Sequence, residues 1–238
     1  TNSAAQIQLF EALGGTAPTM GHLALLAGAD GEGLSKRLGS LSIGELRNDG
    51  IEPAAIASVL SRIGTADPVE ARASLQDVVG GFDISRFGRA TAKFDPSELA
   101  RINSQIVQEL SFDAVNARLA GLGITGGKDF WDAVRGNITR LDDARLWWDI
   151  CTGEITPVIA AKAVTNAAAD LLPDGALDAS IWKDWTAAIS VQTGAKGKAL
   201  FMPLRLALTG REAGPEIASL IGIMGRNRVL ERLRGKPA

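Results

Sequence analysis

Apolar residues recur every three or four positions through most of this chain, which is the spacing of one face of an α-helix. The clearest series contains Leu99, Ile102, Ile106 and Leu110, and Pro96 just before it suits the first turn of a helix. Between such series stand Gly, Pro, Asp and Ser residues, which are typical of helix ends and turns. The pattern therefore predicts a mainly α fold built from many short helices.

One short apolar run, residues 22–27, predicts a strand instead. A helix that contains Ile7, Phe10 and Leu13 precedes it, so the start of the chain is expected to be one αβ unit. The sequence shows no partner strand, and a strand without partners does not form a stable sheet. We therefore expect the chain to be the C-terminal part of a longer protein that supplies the rest of the sheet.

Local signals predict further boundaries. The capping box of Ser42 and Glu45 predicts the start of one helix, because each residue can satisfy a free backbone N–H group of the other. Asp67 followed by Pro68 predicts the start of another helix. Residues 82–87 are expected to form an extended connector.

Several conspicuous side chains are predicted to be structural. Trp131, Trp147 and Trp148 could stack on unpaired bases, but their helical spacing beside apolar residues favours the core. Asn103 is expected to make a structural hydrogen bond. Cys151 is expected to be a buried thiol with no catalytic role.

Composition excludes several classes of protein. The chain has 238 residues, 46% hydrophobic and 22% charged, which is ordinary for a globular protein. A single cysteine excludes an internal disulfide and fits a reducing compartment, and one histidine leaves too few ligands for a zinc site. No apolar run reaches the roughly 20 residues of a membrane span, so no membrane association is expected. These features predict a cytoplasmic protein without a metal site.

Charge is distributed unevenly along the chain. The net charge is −2, yet residues 196–238 contain nine Lys or Arg residues and three Asp or Glu residues. A basic end on an acidic body is typical of a surface that contacts phosphate groups. A solvated helical tail would have the same composition, so the charge alone leaves both interpretations open.

A glycine-rich turn follows the predicted strand and carries a compact basic motif. Leu34, Ser35, Lys36 and Arg37 come directly after Gly33, and this stretch resembles the mobile ATP loop of class I aminoacyl-tRNA synthetases. In that family the motif begins with a lysine, which Gly33 replaces here. The resemblance implies that the four residues bind ATP and that Lys36 is catalytic. A lysine that meets the negative charge developing on the α-phosphate would lower the barrier to amino-acid activation.

Two further segments resemble one branch of that family, the bacterial glutamyl-tRNA synthetases. Residues 93–95 read Lys-Phe-Asp and lead into a helix with Leu99 and Asn103 at the family's positions. The matching terminal motifs are residues 196–198, 203–210, 214–215 and 225–233. Because all the motifs occur in the family's order, the resemblance covers essentially the whole chain and identifies it as the family's C-terminal part.

The resemblance implies an organisation into four parts. Residues 1–40 would be the end of the catalytic Rossmann domain with the ATP loop, and residues 41–111 a helical stem-contact domain. Residues 112–172 and 173–238 would be two helical anticodon-binding domains. ATP with Mg²⁺ and glutamate would bind through an N-terminal half outside this sequence, so the 238 residues alone are expected to be inactive and to hold no cofactor.

The same resemblance implies a monomer that binds tRNA(Glu), with tRNA(Gln) as a second candidate partner. The candidate tRNA-binding residues are Arg135, Asn137, Arg140, Lys196, Lys198, Arg205 and Arg226. The alignment brings Asn137, where the family has an arginine, to the position that reads the third anticodon base. The alternative to a ligase fragment is a non-catalytic helical RNA-binding module with a vestigial loop, which the replacement at Gly33 would favour.

Overall fold

The computed structural model describes residues 2–28, Gly31 and residues 42–238 of the chain. In these ranges the fold is mainly helical, which confirms the predicted fold class. The helices are α1 (Ser3–Ala12), α2 (Ile43–Asn48), α3 (Pro53–Leu60), α4 (Leu75–Gly80), α5 (Pro96–Glu109), α6 (Phe112–Gly121), α7 (Gly127–Val134), α8 (Ala144–Thr152), α9 (Lys162–Asp170), α10 (Ala179–Thr193), α11 (Lys198–Thr209), α12 (Ile217–Met224) and α13 (Arg226–Leu233). Single 3-10 turns lie at Ile84–Arg86, Arg135–Asn137 and Leu141–Asp143.

The described strands form one very small parallel sheet. Strand β1 (Leu26–Ala27) pairs with β2 (Ala92–Lys93), and Leu26 lies opposite Ala92. The expectation that β1 has no partner in this sequence is therefore wrong. A two-residue strand is too short to show an alternating pattern, and the prediction assigned Ala92 and Lys93 to the approach to α5.

Side-chain caps set many of the helix ends. Ser42 and Glu45 form the predicted capping box at α2, and the Asp95 carboxylate accepts a bond from the Ser97 backbone N–H before α5. Asp178 does the same for the amides of residues 180 and 181 at the start of α10. These caps follow directly from the sequence.

Two boundaries differ from the prediction around α4. That helix begins after Ser74, whose hydroxyl accepts the Asp77 amide, whereas Asp67 binds the Arg86 guanidinium at 2.6 Å. The predicted connector 82–87 contains a 3-10 turn, because the Asp83 carboxylate accepts the Ser85 N–H. In both cases a polar side chain bonds locally in a way that the apolar spacing does not reveal.

The described residues bury two hydrophobic clusters. The larger runs from Val107 to Leu233 and includes Phe130, Trp131 and Trp185, each at most 2% exposed. The smaller lies between α3 and α5 and includes Val59, Phe94, Leu99 and Ile102. The larger cluster continues across position 172, and the division into four domains stays a prediction.

The first part of the chain contributes little to either cluster. None of the ten residues of α1 is buried, and Leu9, Leu13 and Leu25 are 60–82% exposed. Within the described residues, β1 pairs with β2, and Leu26 borders the smaller cluster. No helix of the described ranges is long and apolar enough to cross a membrane.

Candidate nucleic-acid interface

The candidate ATP loop cannot be placed in this structure. Leu34, Ser35, Lys36 and Arg37 lie outside the described residues. In sequence they stand between β1 and the Ser42 cap of α2. Their binding of ATP, and the catalytic role of Lys36, stay predictions.

The structure brings three candidate tRNA-binding residues together on one short segment between α7 and α8. Arg135 and Asn137 lie in a 3-10 turn, and Arg140 follows three residues later. The side chains of Asn137 and Arg140 are exposed, whereas Arg135 is half-buried and donates from Nη1 to the Gln108 carbonyl at 3.0 Å. The segment 135–140 therefore presents an amide and a guanidinium to solvent from an anchored backbone.

Helix α5 supplies much of that anchoring. Asn103, 1% exposed, donates from Nδ2 to the Thr139 carbonyl at 2.8 Å and accepts the Glu52 amide on Oδ1 at 2.7 Å. Gln108 donates from Nε2 to the Ile138 carbonyl at 3.1 Å. The predicted structural hydrogen bond of Asn103 is therefore confirmed, and it reaches the segment 135–140.

Three other candidates lie around helix α11. Lys196 and Lys198 are exposed at its start, beside Gly197, whose φ of 52° only glycine adopts easily. Arg205 is half-buried and donates from Nη2 to the Pro215 carbonyl at 2.9 Å. Its Nη1 is buried and has no hydrogen-bond partner in the described residues. Burial lowers the pKa of Arg205, against the opposing effect of Glu216.

Arg226, the last candidate, bonds within the protein. Its Nε donates to the Pro173 carbonyl at 2.9 Å, its Nη2 reaches the Leu172 carbonyl at 3.3 Å, and Asp174 pairs with it at 2.9 Å. The guanidinium therefore connects the start of α13 to residues 172–174. Its side chain is 32% exposed.

Two arginines of the terminal motif 225–233 that are not among the candidate site residues make similar contacts. Arg228 donates to the carbonyls of Cys151, Thr152 and Met224 at 2.8–3.1 Å. Its neighbour one helical turn later, Arg232, is fully buried and bonds three further carbonyls. In the sequence, the signal that could have identified these two arginines is their four-residue spacing.

These contacts show what some of the basic residues in the range 196–238 do. Three of its nine cations donate to backbone carbonyls, which carry partial negative charge: Arg228 and Arg232 at the ends of α8, α11 and α12, and Arg226 at two residues just after α9. Bonding within the protein is thus a further use of basic side chains, beside the phosphate contacts and the solvated tail that the charge left open. Burial also raises the pKa of the neighbouring Cys151 thiol to about 12, and the predicted burial of this thiol is confirmed.

Comparison with known proteins finds relatives along the whole chain. The anticodon binding domain family matches residues 159–236. Glutamate–tRNA ligase 1 of Maricaulis maris is 51% identical over 239 residues, which cover all of this chain and 54% of that protein. Over its whole length the chain is similar to the C-terminal part of proteins named glutamate–tRNA ligase. A glutamate–tRNA ligase 2 of Methylorubrum populi is 48% identical over 240 residues, again 54% of its length.

The chain spans about half the length of the curated ligases it matches. Solved structures agree in fold. A glutamate tRNA ligase from Elizabethkingia meningosepticum, crystallised with its amino acid, superposes with a TM-score of 0.78 at 19% identity, over 97% of this chain and 53% of that one. The glutamate-tRNA synthetase of Elizabethkingia anophelis gives 0.77 at 20% identity. At such identities the superposition shows the fold alone.

Proposed function

We propose that this chain is the tRNA-binding part of a glutamate–tRNA ligase. The ligase would activate glutamate with ATP and Mg²⁺ in the cytoplasm and transfer it to the 3′ end of tRNA(Glu), acting as a monomer. The observation that carries the proposal is the alignment of the whole chain with a glutamate–tRNA ligase at 51% identity. The match of residues 159–236 to an anticodon binding domain supports RNA binding.

The accessible donors support the same proposal. Lys196, Lys198 and Arg140 are exposed cations that can contact phosphate, and the exposed amide of Asn137 can hydrogen-bond to a base edge. Arg205 is half-buried and would act through the contact of its Nη2 with the Pro215 carbonyl. Arg226 would act through the position it gives α13, and Arg135 through the backbone of the segment 135–140.

The catalytic part of the proposal concerns the ATP loop. Lys36, with Leu34, Ser35 and Arg37, would contact the phosphates of ATP bound mainly by the other half of the ligase. A lysine that stabilises charge only in the transition state raises turnover without tightening tRNA binding. Replacing Lys36 by alanine in the full-length ligase should therefore slow ATP–pyrophosphate exchange by about 10²–10³ and leave tRNA affinity unchanged.

Binding of a tRNA(Glu) transcript to the 238-residue chain tests the proposal directly. Filter binding at several salt concentrations should give an affinity that falls steeply with salt, because bound phosphates release counterions. Lys198→Ala should lower the log–log slope by about 1. Lys183→Ala, which removes an exposed lysine of α10 outside the candidate set, is the matched control and should leave the slope unchanged. A chain that binds no tRNA at low salt would contradict the proposal.

A further inference from the structure

We propose that Asn103 is a positioning residue for tRNA recognition: its buried side-chain amide fixes the segment 135–140 to the turn at residues 50–52. The inference rests on the proposed function, since that function gives the segment its role. Asn103 itself is 1% exposed and touches no RNA in this proposal.

The amide connects two parts of the chain that are far apart in sequence. Its Oδ1 accepts the Glu52 N–H at 2.7 Å, 51 residues earlier in the chain. Its Nδ2 donates to the Thr139 carbonyl at 2.8 Å, 36 residues later, and to the Gly50 carbonyl at 3.5 Å. Both the oxygen and the nitrogen of the amide therefore bond to backbone groups outside α5. A buried amide with this pattern accepts only one arrangement of its neighbours.

The segment is held at consecutive backbone positions. Gln108 binds the carbonyl of Ile138, Asn103 that of Thr139, and the Asp143 carboxylate accepts the amides of Thr139 and Arg140 at 2.9–3.0 Å. The side chains that point to solvent, among them Asn137 and Arg140, therefore project from a fixed backbone. Fixed donors lose less entropy on binding, which favours affinity and discrimination between bases.

The turn at residues 50–52 is also held by side-chain contacts. The Glu52 carboxylate accepts both terminal nitrogens of Arg118, at 2.6 and 3.1 Å, and its side chain is 10% exposed. Gly50 has φ of 73°, and a Cβ there would lie 3.4 Å from the Cβ of Arg140. The turn at 50–52 thus provides a rigid base against which the stem of Arg140 rests.

Asn103→Asp separates the two halves of this connection with little change in shape. The aspartate keeps an acceptor for the Glu52 amide but puts an oxygen against the Thr139 carbonyl, where the wild type has a donor. We expect hydrogen exchange to accelerate at the amides of residues 138–143 and to stay unchanged in α12. We also expect tRNA(Glu) affinity to fall about tenfold through faster dissociation, which is about one lost hydrogen bond.

The control is a buried polar change elsewhere. Thr165 is fully buried in α9, and its hydroxyl bonds only to carbonyls of residues 161 and 162, at 3.4 Å. Thr165→Val should change neither the exchange of residues 138–143 nor tRNA dissociation. If Asn103→Asp does not fold, Gln108→Met removes the bond to Ile138 from a half-buried position and should act in the same direction, more weakly.

Each outcome has a distinct meaning. Unchanged exchange at residues 138–143 in a folded Asn103→Asp variant would overturn the proposed connection. Faster exchange with tRNA dissociation equal to that of Thr165→Val would overturn its role in recognition. A wild-type chain that binds no tRNA would contradict the proposed function, and the exchange measurement would then still decide whether Asn103 fixes the segment.

Discussion

Arg232 donates from Nη2 to the carbonyl oxygen of Gly153 at 2.9 Å, across 79 residues of the chain. The same guanidinium donates from Nη1 to the Leu208 carbonyl at 2.7 Å and from Nε to the Ala238 oxygen at 2.9 Å. Burial lowers the pKa of Arg232 to about 10. One side chain thus satisfies the ends of α8 and α11 from inside the larger core.

Arg232→Met should lower the free energy of unfolding by about 3 kcal/mol or more, because three carbonyls lose their donor and at least one of them is deeply buried. Urea denaturation followed by circular dichroism measures this loss. Arg234→Met changes an exposed arginine of the same basic end and should stay within about 0.5 kcal/mol of the wild type. Equal effects of the two substitutions would contradict a structural role of Arg232.

Cys151 should make stability depend on pH in the alkaline range. Burial raises the pKa of its thiol from 9.0 to about 12, so above pH 9 the unfolded chain loses this proton more readily than the folded chain. The stabilisation is complete below pH 9 and is lost as the pH rises to about 12. The free energy of unfolding should therefore fall more steeply with pH in the wild type than in Cys151→Ala. Parallel curves from pH 9 to 11 would show that the thiol is not protected by burial.

Gly214→Ala should destabilise the fold. Gly214 has φ of 141°, and a Cβ there would overlap the ring of Trp147 in the larger core. Because an indole inside a core cannot move freely, we expect a loss of about 3 kcal/mol. Gly121→Ala, at the end of α6 with open space around it, should instead be neutral or stabilise by up to about 1 kcal/mol. Thermal unfolding measures the Tm of the two variants. Equal shifts of the Tm would contradict this prediction.

Asn137→Arg should change the preference between tRNAs. Arginine presents several N–H donors in a fixed plane, whereas asparagine presents one amide. The interaction energy of an arginine at this position would therefore depend on the base that it contacts. We expect the ratio of tRNA(Glu) to tRNA(Gln) affinity to change, whereas Lys198→Ala should weaken both equally and keep the ratio. Filter binding of both tRNAs to both variants checks this. If Asn137→Arg shifts both affinities by the same factor, the residue does not read a base.

Much of the local structure follows from the sequence. The cap residues Ser42 and Asp95 fix helix starts through bonds to amides two or three residues away, and the apolar spacing identifies Trp131 as core. The structural hydrogen bonding of Asn103 also follows, although its partners do not. Such features depend on near neighbours, which the sequence displays.

The sequence could not predict contacts between residues that lie far apart along the chain. A lysine-rich or arginine-rich stretch reads the same whether its cations meet water, phosphate or carbonyls, so the contacts of Arg226, Arg228 and Arg232 required the fold. The strand at Ala92 is recognisable only through its pairing with Leu26. The start of α4 was misplaced because Asp67 binds Arg86, 19 residues away, instead of capping a helix.

The pairing of Leu26 with Ala92 also has a consequence for the order in which the molecule folds. It joins residues more than sixty positions apart, and its cross-strand bonds include those from the Ala92 amide to Leu25 and from the Phe94 amide to Ala27. Closing so long a loop costs chain entropy before any contact compensates for it, and α1 adds no buried residue in return. The helical core also joins distant elements, such as α7 and α12, but it buries a large apolar cluster in return, so it should form first. Residues 2–28 should join it last and, on heating or under protease, should leave it first.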